Sequence, residues 1–116
     1  MNIEELRDYC LLKPLVTECF PFDATTLVFK VAEKMFALID LEESTKVNLK
    51  CDPELVDELR DRYAEVEPGY HMSKKHWNTV RMNGMLSDEL IRQWIDDSYN
   101  LVVKSLSGKK RKELGL

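Results

Sequence analysis

The sequence predicts an α+β fold in which an antiparallel β-sheet packs against helices, in the order helix, meander, helix, strand, helix. Three observations carry that reading. Val47, Leu49 and Cys51 alternate with Lys46, Asn48 and Lys50, the period-two signature of a strand with one buried face. Ile91, Trp94, Ile95, Ser98, Leu101, Val102 and Ser105 recur at spacings of three and four, the stripe of an amphipathic helix long enough to cross a sheet. Upstream, the short turn-forming segments PFDA, EK and EEST divide the apolar runs into strand-sized pieces.

Taken in order, the first element is a helix. Asn2 is suited to cap it, Glu5 stands three residues on as a capping-box partner, and Ile3, Leu6 and Cys10 recur at helical spacing before Pro14 stops it. Strands are expected at Leu15–Phe20, Thr25–Ala32, Met35–Leu41 and Lys46–Cys51. Asp52 then caps a second helix with Pro53 at its first position and Leu55, Val56, Leu59 and Tyr63 as its buried stripe. His76–Met82 is the next strand and Asn83-Gly84 a turn. Ser87, followed by Asp88 and Glu89, starts the long helix, which Gly108 ends. Residues 1–108 form one domain on this reading, and 109–116 a basic C-terminal tail.

Composition limits the functional classes. A chain of 116 residues, 33% charged and 44% apolar, has the profile of one globular domain and not of a disordered segment. Three cysteines, Cys10, Cys19 and Cys51, show no CxxC spacing, so they read as reduced packing residues and not as a disulfide framework or zinc knuckle. No apolar run approaches the roughly 20 residues of a membrane helix, and the acidic start MNIEELRDYC lacks the basic and apolar regions of a secretory signal. A cytoplasmic monomer with no membrane association is expected.

The net charge of −4 is unevenly spread. Between Glu67 and Asp88 there is no acid, while Lys74, Lys75 and Arg81 are present. Within that block, Gly69 to Asn78 reads GYHMSKKHWN and gathers both histidines, two lysines, a Tyr and a Trp. Such a local basic and aromatic surface suits a phosphate-bearing or nucleic-acid partner, with lysines on phosphates and aromatics stacked on bases. The acidic remainder means that any such contact is local and oriented. The same residues equally suit a strand whose aromatics are core.

Other chemistry is poorly supported. His71 and His76 are five positions apart, which sends them to opposite faces of a strand or about 140° apart on a helix, so they make a poor metal pair. No GxSxG elbow, Walker pattern or GxGxxG loop occurs. The carboxylate pairs Glu4/Asp8, Glu54/Glu58 and Asp57/Asp61 have the i,i+4 spacing of solvated helix faces. No metal, cofactor or catalytic residue is expected.

The stretches TLVFKVAEKMFALIDLE (Thr26–Glu42), VNLKCDPE (Val47–Glu54), PGYHMSKKHWNTV (Pro68–Val80) and the following SDELIRQWIDDSYNLVVKSL resemble the MmcQ/YjbR family of small bacterial proteins. The resemblance implies a fold like that of CyaY and frataxin, a proposed DNA-binding role through a double wing of hairpin loops, and a link to mitomycin resistance through the namesake member. It carries no catalytic residues. Frataxin-like folds elsewhere bind iron through acidic helix residues, for which Glu4, Glu5 and Asp8 are the counterparts, but a shared fold does not transfer a site.

The functional expectation is a small non-enzymatic DNA-binding protein. Its surface joins Lys30, Lys46 and Lys50, on the solvent side of the sheet, to Tyr70, His71, Lys74, Lys75, His76, Trp77 and Asn78. The alternatives are a module that binds a small anionic or planar ligand with Trp77 as a pocket wall, and a structural or protein-interaction domain in which Tyr70 and Trp77 are core.

Overall fold

A six-stranded antiparallel sheet is the frame of the molecule, with strand order β1-β2-β3-β4-β6-β5 in a computed structural model that describes all 116 residues. Its strands are β1 (Val16–Cys19), β2 (Thr26–Val31), β3 (Lys34–Asp40), β4 (Lys46–Lys50), β5 (Val66–Pro68) and β6 (Trp77–Arg81). The helices are α1 (Ile3–Leu11), α2 (Val56–Arg62), α3 (Asp88–Ser105) and α4 (Gly108–Leu114). The α+β fold and the meander are as the sequence predicts. Two elements exceed that expectation: β5, and a helix in the basic C-terminal segment.

Alternation in the strands sends Leu27, Phe29, Val31, Ile39, Val47, Leu49 and Val80 to one face, where α1 and α3 cover them. From α1, Leu6 and Cys10 enter this core, and from α3 come Ile91, Ile95, Tyr99 and Val102. Asn2 caps α1 in a full capping box with Glu5, as its spacing predicts. The two helices are tied by the Tyr9 hydroxyl, which donates to Asp96 Oδ1 at 2.7 Å, and by Lys13, whose ammonium bonds the same oxygen.

A bulge in β3 shifts its register on β2 between Phe29 and Lys30, so that Phe29 opposes Ala37 while Lys30 opposes Met35. Phe36 is the extra residue and packs edge-on against Tyr99 at 5.5 Å. Where the bulge parts β3 from β4, the fully buried Ser98 hydroxyl fills the gap. It accepts from the Lys50 N–H at 2.9 Å and donates to the Phe36 carbonyl at 2.5 Å.

Several local expectations are corrected. Asp52 does not cap α2: its carboxylate accepts from the Glu54 N–H in a turn, and the helix begins only at Val56, leaving Leu55 46% exposed. On α3, Tyr99 is buried where Ser105 is exposed, because the helix turns its stripe toward Phe36 and β3. Gly108 does not simply end α3. It opens α4, whose N-cap Ser107 accepts from the Lys110 N–H at 3.0 Å. Residues 109–116 are therefore largely helical, and Leu116 packs against the main core.

Candidate functional site

The other sheet face has no helix over it. A rung of Val28, Leu38, Asn48, Thr79 and Glu67 crosses it in register. Val28 and Leu38 of this rung form, with Trp77, a second, smaller core against which Met72 and Met35 pack. The segment from Gly69 to His76 folds down onto this face and supplies Met72 as its cover. Trp77 is consequently 7% exposed, buried and not free to stack on a base or to wall a pocket.

Three polar contacts fix where the segment leaves β5. The Tyr70 N–H donates to Thr79 Oγ1 at 2.9 Å, Thr79 donates to Asn48 Oδ1, and Asn48 Nδ2 donates to the Tyr70 carbonyl at 3.2 Å. Gly69 is necessary here, because a Cβ at that position would lie 2.7 Å from Trp77 Cβ. From beneath, Arg60 of α2 holds the far end: its Nε donates to Asn78 Oδ1 at 2.7 Å, and its Nη2 donates to the Trp77 carbonyl at 3.2 Å and also to the Lys74 carbonyl. The Lys74 ammonium folds inward and bonds the Gly69 carbonyl, so this lysine serves the loop itself.

The remaining side chains of the segment divide by position. Tyr70, 68% exposed, lies with its ring centroid 4.0 Å from that of His71, and both are open to solvent. His71 adopts φ 59°, a left-handed conformation that His accepts more readily than most residues. Lys75 is exposed, and His76 is half-buried in the turn that enters β6. Asn78 is a correction to the expected surface: alternation turns it away from Trp77 and Thr79 to the helix-covered side, where it is 2% exposed.

Charge on the open face is polarised along the strands. At one end, Tyr70 and His71 border a groove of about 620 Å³ that also takes in Asp23, Asp40, Glu43 and Glu67. Lys46 is in this acidic groove and pairs with Glu67 at 3.8 Å, while Arg81 holds the same carboxylate at 3.1 Å. Backbone N–H bonds from Thr25 and Thr26 hold the Asp23 carboxyl below its ordinary range. At the opposite end Lys30 is across from Met35 and Lys50 across from Trp77. Neither lysine forms an ion pair, and nor does Lys75 on the turn that enters β6 beside them.

The structure thus gathers Lys30, Lys50, Lys75 and His76 at one end of the open face and Lys46, Tyr70 and His71 at the other. It removes Trp77 and Asn78 from the surface. Arg60, which organises the segment, carries no sequence signal, since its partners are 14 to 18 residues away.

Two of the three thiols, Cys10 and Cys51, are shielded. Burial pushes Cys10 up to about 12 and Cys51 up to about 11, so both stay protonated near neutral pH. No three His, Cys, Asp or Glu side chains gather at metal-binding distance. Glu5, one of the acidic residues of α1, is occupied in capping: its Oε1 accepts from the Asn2 N–H at 3.1 Å. No helix is long and apolar enough to cross a membrane.

Fold and site together define a small α+β domain with one sheet face buried under helices and the other partly closed by its own loop. The chain belongs to the YjbR family, whose model matches residues 11–101. It is 37% identical over 115 residues to the uncharacterized protein YjbR of Escherichia coli K12, covering 98% of both chains. With the uncharacterized protein YbdF of Escherichia coli O157:H7 it shares 38% identity over 112 residues, covering 96% of this chain and 92% of the other. The crystal structure of Deinococcus radiodurans protein DR2400 superposes with a TM-score of 0.94 at 42% identity, covering 99% of this chain and 88% of that one. A crystal structure from Pseudomonas syringae gives a TM-score of 0.75 at 32% identity, over 87% and 98%.

Proposed function

We propose that the protein is a non-enzymatic DNA-binding domain that contacts the phosphate backbone locally, through Lys30, Lys50 and Lys75 at one end of the open sheet face. The observation that carries the reading is the asymmetry of pairing. These three lysines have no carboxylate partner, whereas Lys46 and Arg81 at the other end share Glu67. An unpaired lysine has no ion pair to break before it meets a phosphate, while a paired one must first give up its acid. The β2–β3 hairpin tip and the Gly69–His76 segment flank this end, a placement that accords with two loops gripping one backbone. The acidic groove repels phosphate and so orients the duplex toward the lysine end. The burial of the Cys10 and Cys51 thiols accords with a non-catalytic role.

The same groove disfavours a small anionic ligand, since four carboxylates face one lysine there. A planar ligand walled by Trp77 is disfavoured by the burial of that ring under Met72.

The test is a fluorescence-anisotropy titration against a labelled duplex over a range of salt. Three phosphate contacts give a slope of log K against log salt of about −2.7, and each of Lys30→Glu, Lys50→Glu and Lys75→Glu reduces its magnitude by about 1. Lys104→Glu on α3, on the helix-covered side, leaves the slope unchanged. A triple variant that binds as well as the unaltered protein sinks the assignment.

A further inference from the structure

On the helix-covered side, α2 and α3 stand apart over β4 and β6 and leave a cleft of about 330 Å³. This is within the lower range of small-molecule sites. Its walls are apolar: Leu49 and Val80 from the sheet, Val66 from β5, Leu59 from α2, and Trp94 and Leu101 from α3. Trp94 is braced by Tyr63, edge to face at 5.1 Å, which fixes the indole as a wall.

One buried polar side chain interrupts this lining. Asn78 is 2% exposed, and its Oδ1 is taken by Arg60 Nε at 2.7 Å. That bond assigns the amide orientation, since a guanidinium needs an acceptor, and it commits Nδ2 to donate. Nδ2 is buried and has no acceptor anywhere in the protein. A buried donor left unmade costs more than most surface contacts return, so such a group in a natural core is an exception that calls for a partner. Asp52 and Asp97 border the cleft together with Lys50 and Lys104, so its formal charges balance. A cleft with no net charge and a mainly apolar lining favours an uncharged acceptor over an ionised one, which would have to be desolvated without a counter-charge.

We propose that this cleft is a binding site for a small, uncharged, largely apolar molecule carrying a carbonyl, with Asn78 Nδ2 donating to the carbonyl oxygen and Trp94 packing on the apolar body. The proposal does not depend on the DNA reading: Lys50 borders both the cleft and that surface, but the site rests on Asn78 and Trp94, which are not part of it. Cys51 borders the cleft as a protonated thiol and acts as packing surface, so the binding is non-covalent.

The experiment uses acetophenone as probe and isopropylbenzene as its shape-matched analogue without an acceptor, each titrated at millimolar concentration into ¹⁵N-labelled protein. Acetophenone should shift the Trp94 indole and the Asn78 side-chain amide resonances while leaving the Trp77 indole in place. It should bind about tenfold more tightly than isopropylbenzene, the worth of one buried hydrogen bond. Asn78→Asp keeps the acceptor for Arg60 and removes the donor, so it should abolish the preference for the ketone. Unmoved Trp94 and Asn78 resonances overturn the proposal. Equal binding of ketone and hydrocarbon to the unaltered protein also overturns it, and that comparison stands even if the Asp variant fails to fold.

Discussion

Tyr70 and Trp77, seven positions apart, show how the path of a loop decides a side chain's role. Both belong to the GYHMSKKHWN block, yet Tyr70 is 68% exposed and Trp77 7%. Trp77 lies in a strand, opposite Lys50, and the Gly69–His76 segment brings Met72 over its ring. Tyr70 stands where that segment begins and contributes its backbone, through Thr79 and Asn48, more than its ring. Trp77→Ala should therefore cost about 3–5 kcal/mol in urea denaturation. Tyr70→Ala should change stability by no more than about 0.5 kcal/mol. The sequence could show that aromatics and bases were concentrated here, because that is composition. It could not show which ring was covered, because the cover is Met72 and depends on how the loop folds back. Asn78 was misplaced for a related reason: its face follows from strand parity, but its burial depends on Arg60, a partner 18 residues away.

Among the elements, those with a local code were legible and those without one were not. The capping box of α1, the alternation in β4 and the stripe of α3 all appear as periodic or short-range patterns. The short β5 escaped because three residues ending in Pro68 carry too little pattern, and they are a strand only by pairing with β6. The helix in the tail differs from the expected end at Gly108 because Ser107 caps a new helix there, its hydroxyl accepting from the Lys110 N–H. The β2–β3 hairpin carries a cost of its own. Its two-residue turn places Ala32 at φ 50° and Glu33 at φ 65°, a left-handed pair that Asn-Gly adopts readily and that Ala and Glu resist. Combining Ala32→Asn with Glu33→Gly should raise stability by about 1 kcal/mol, measured by thermal and urea melts.

At the scale of the whole molecule, charge is organised by end and not by net value. Acids line one half of the open face, unpaired lysines the other, and the charges bordering the helix-covered cleft balance. Folding also lowers particular carboxyls. Glu18 is held down chiefly by its hydrogen bond from Arg7, at 2.7 Å, and Asp23 by the Thr25 and Thr26 N–H groups. Their ordinary values are 4.5 and 3.8. Because the folded values are lower, the unfolded chain binds more protons in this range, so stability rises with pH through it. The contribution is complete above the unfolded values and is lost as pH falls through the folded ones. Urea midpoints measured from about pH 6 down to about pH 2 should therefore decline below about pH 4.5. In Glu18→Gln that decline should be shallower.

The hydroxyl of Ser98 has a consequence for the order in which this chain is built. It connects Phe36 and Lys50, residues 62 and 48 positions away, at the point where neighbouring strands have parted. A helix thereby becomes one rung of the sheet, and that rung does not exist until α3 has docked. Strand pairing at Ala37, Leu38 and Ile39 needs only the nearby hairpin, but the end of the seam beside Lys50 waits for a segment synthesised half a chain later. The seam is closed by the last long helix to arrive, as a keystone closes an arch.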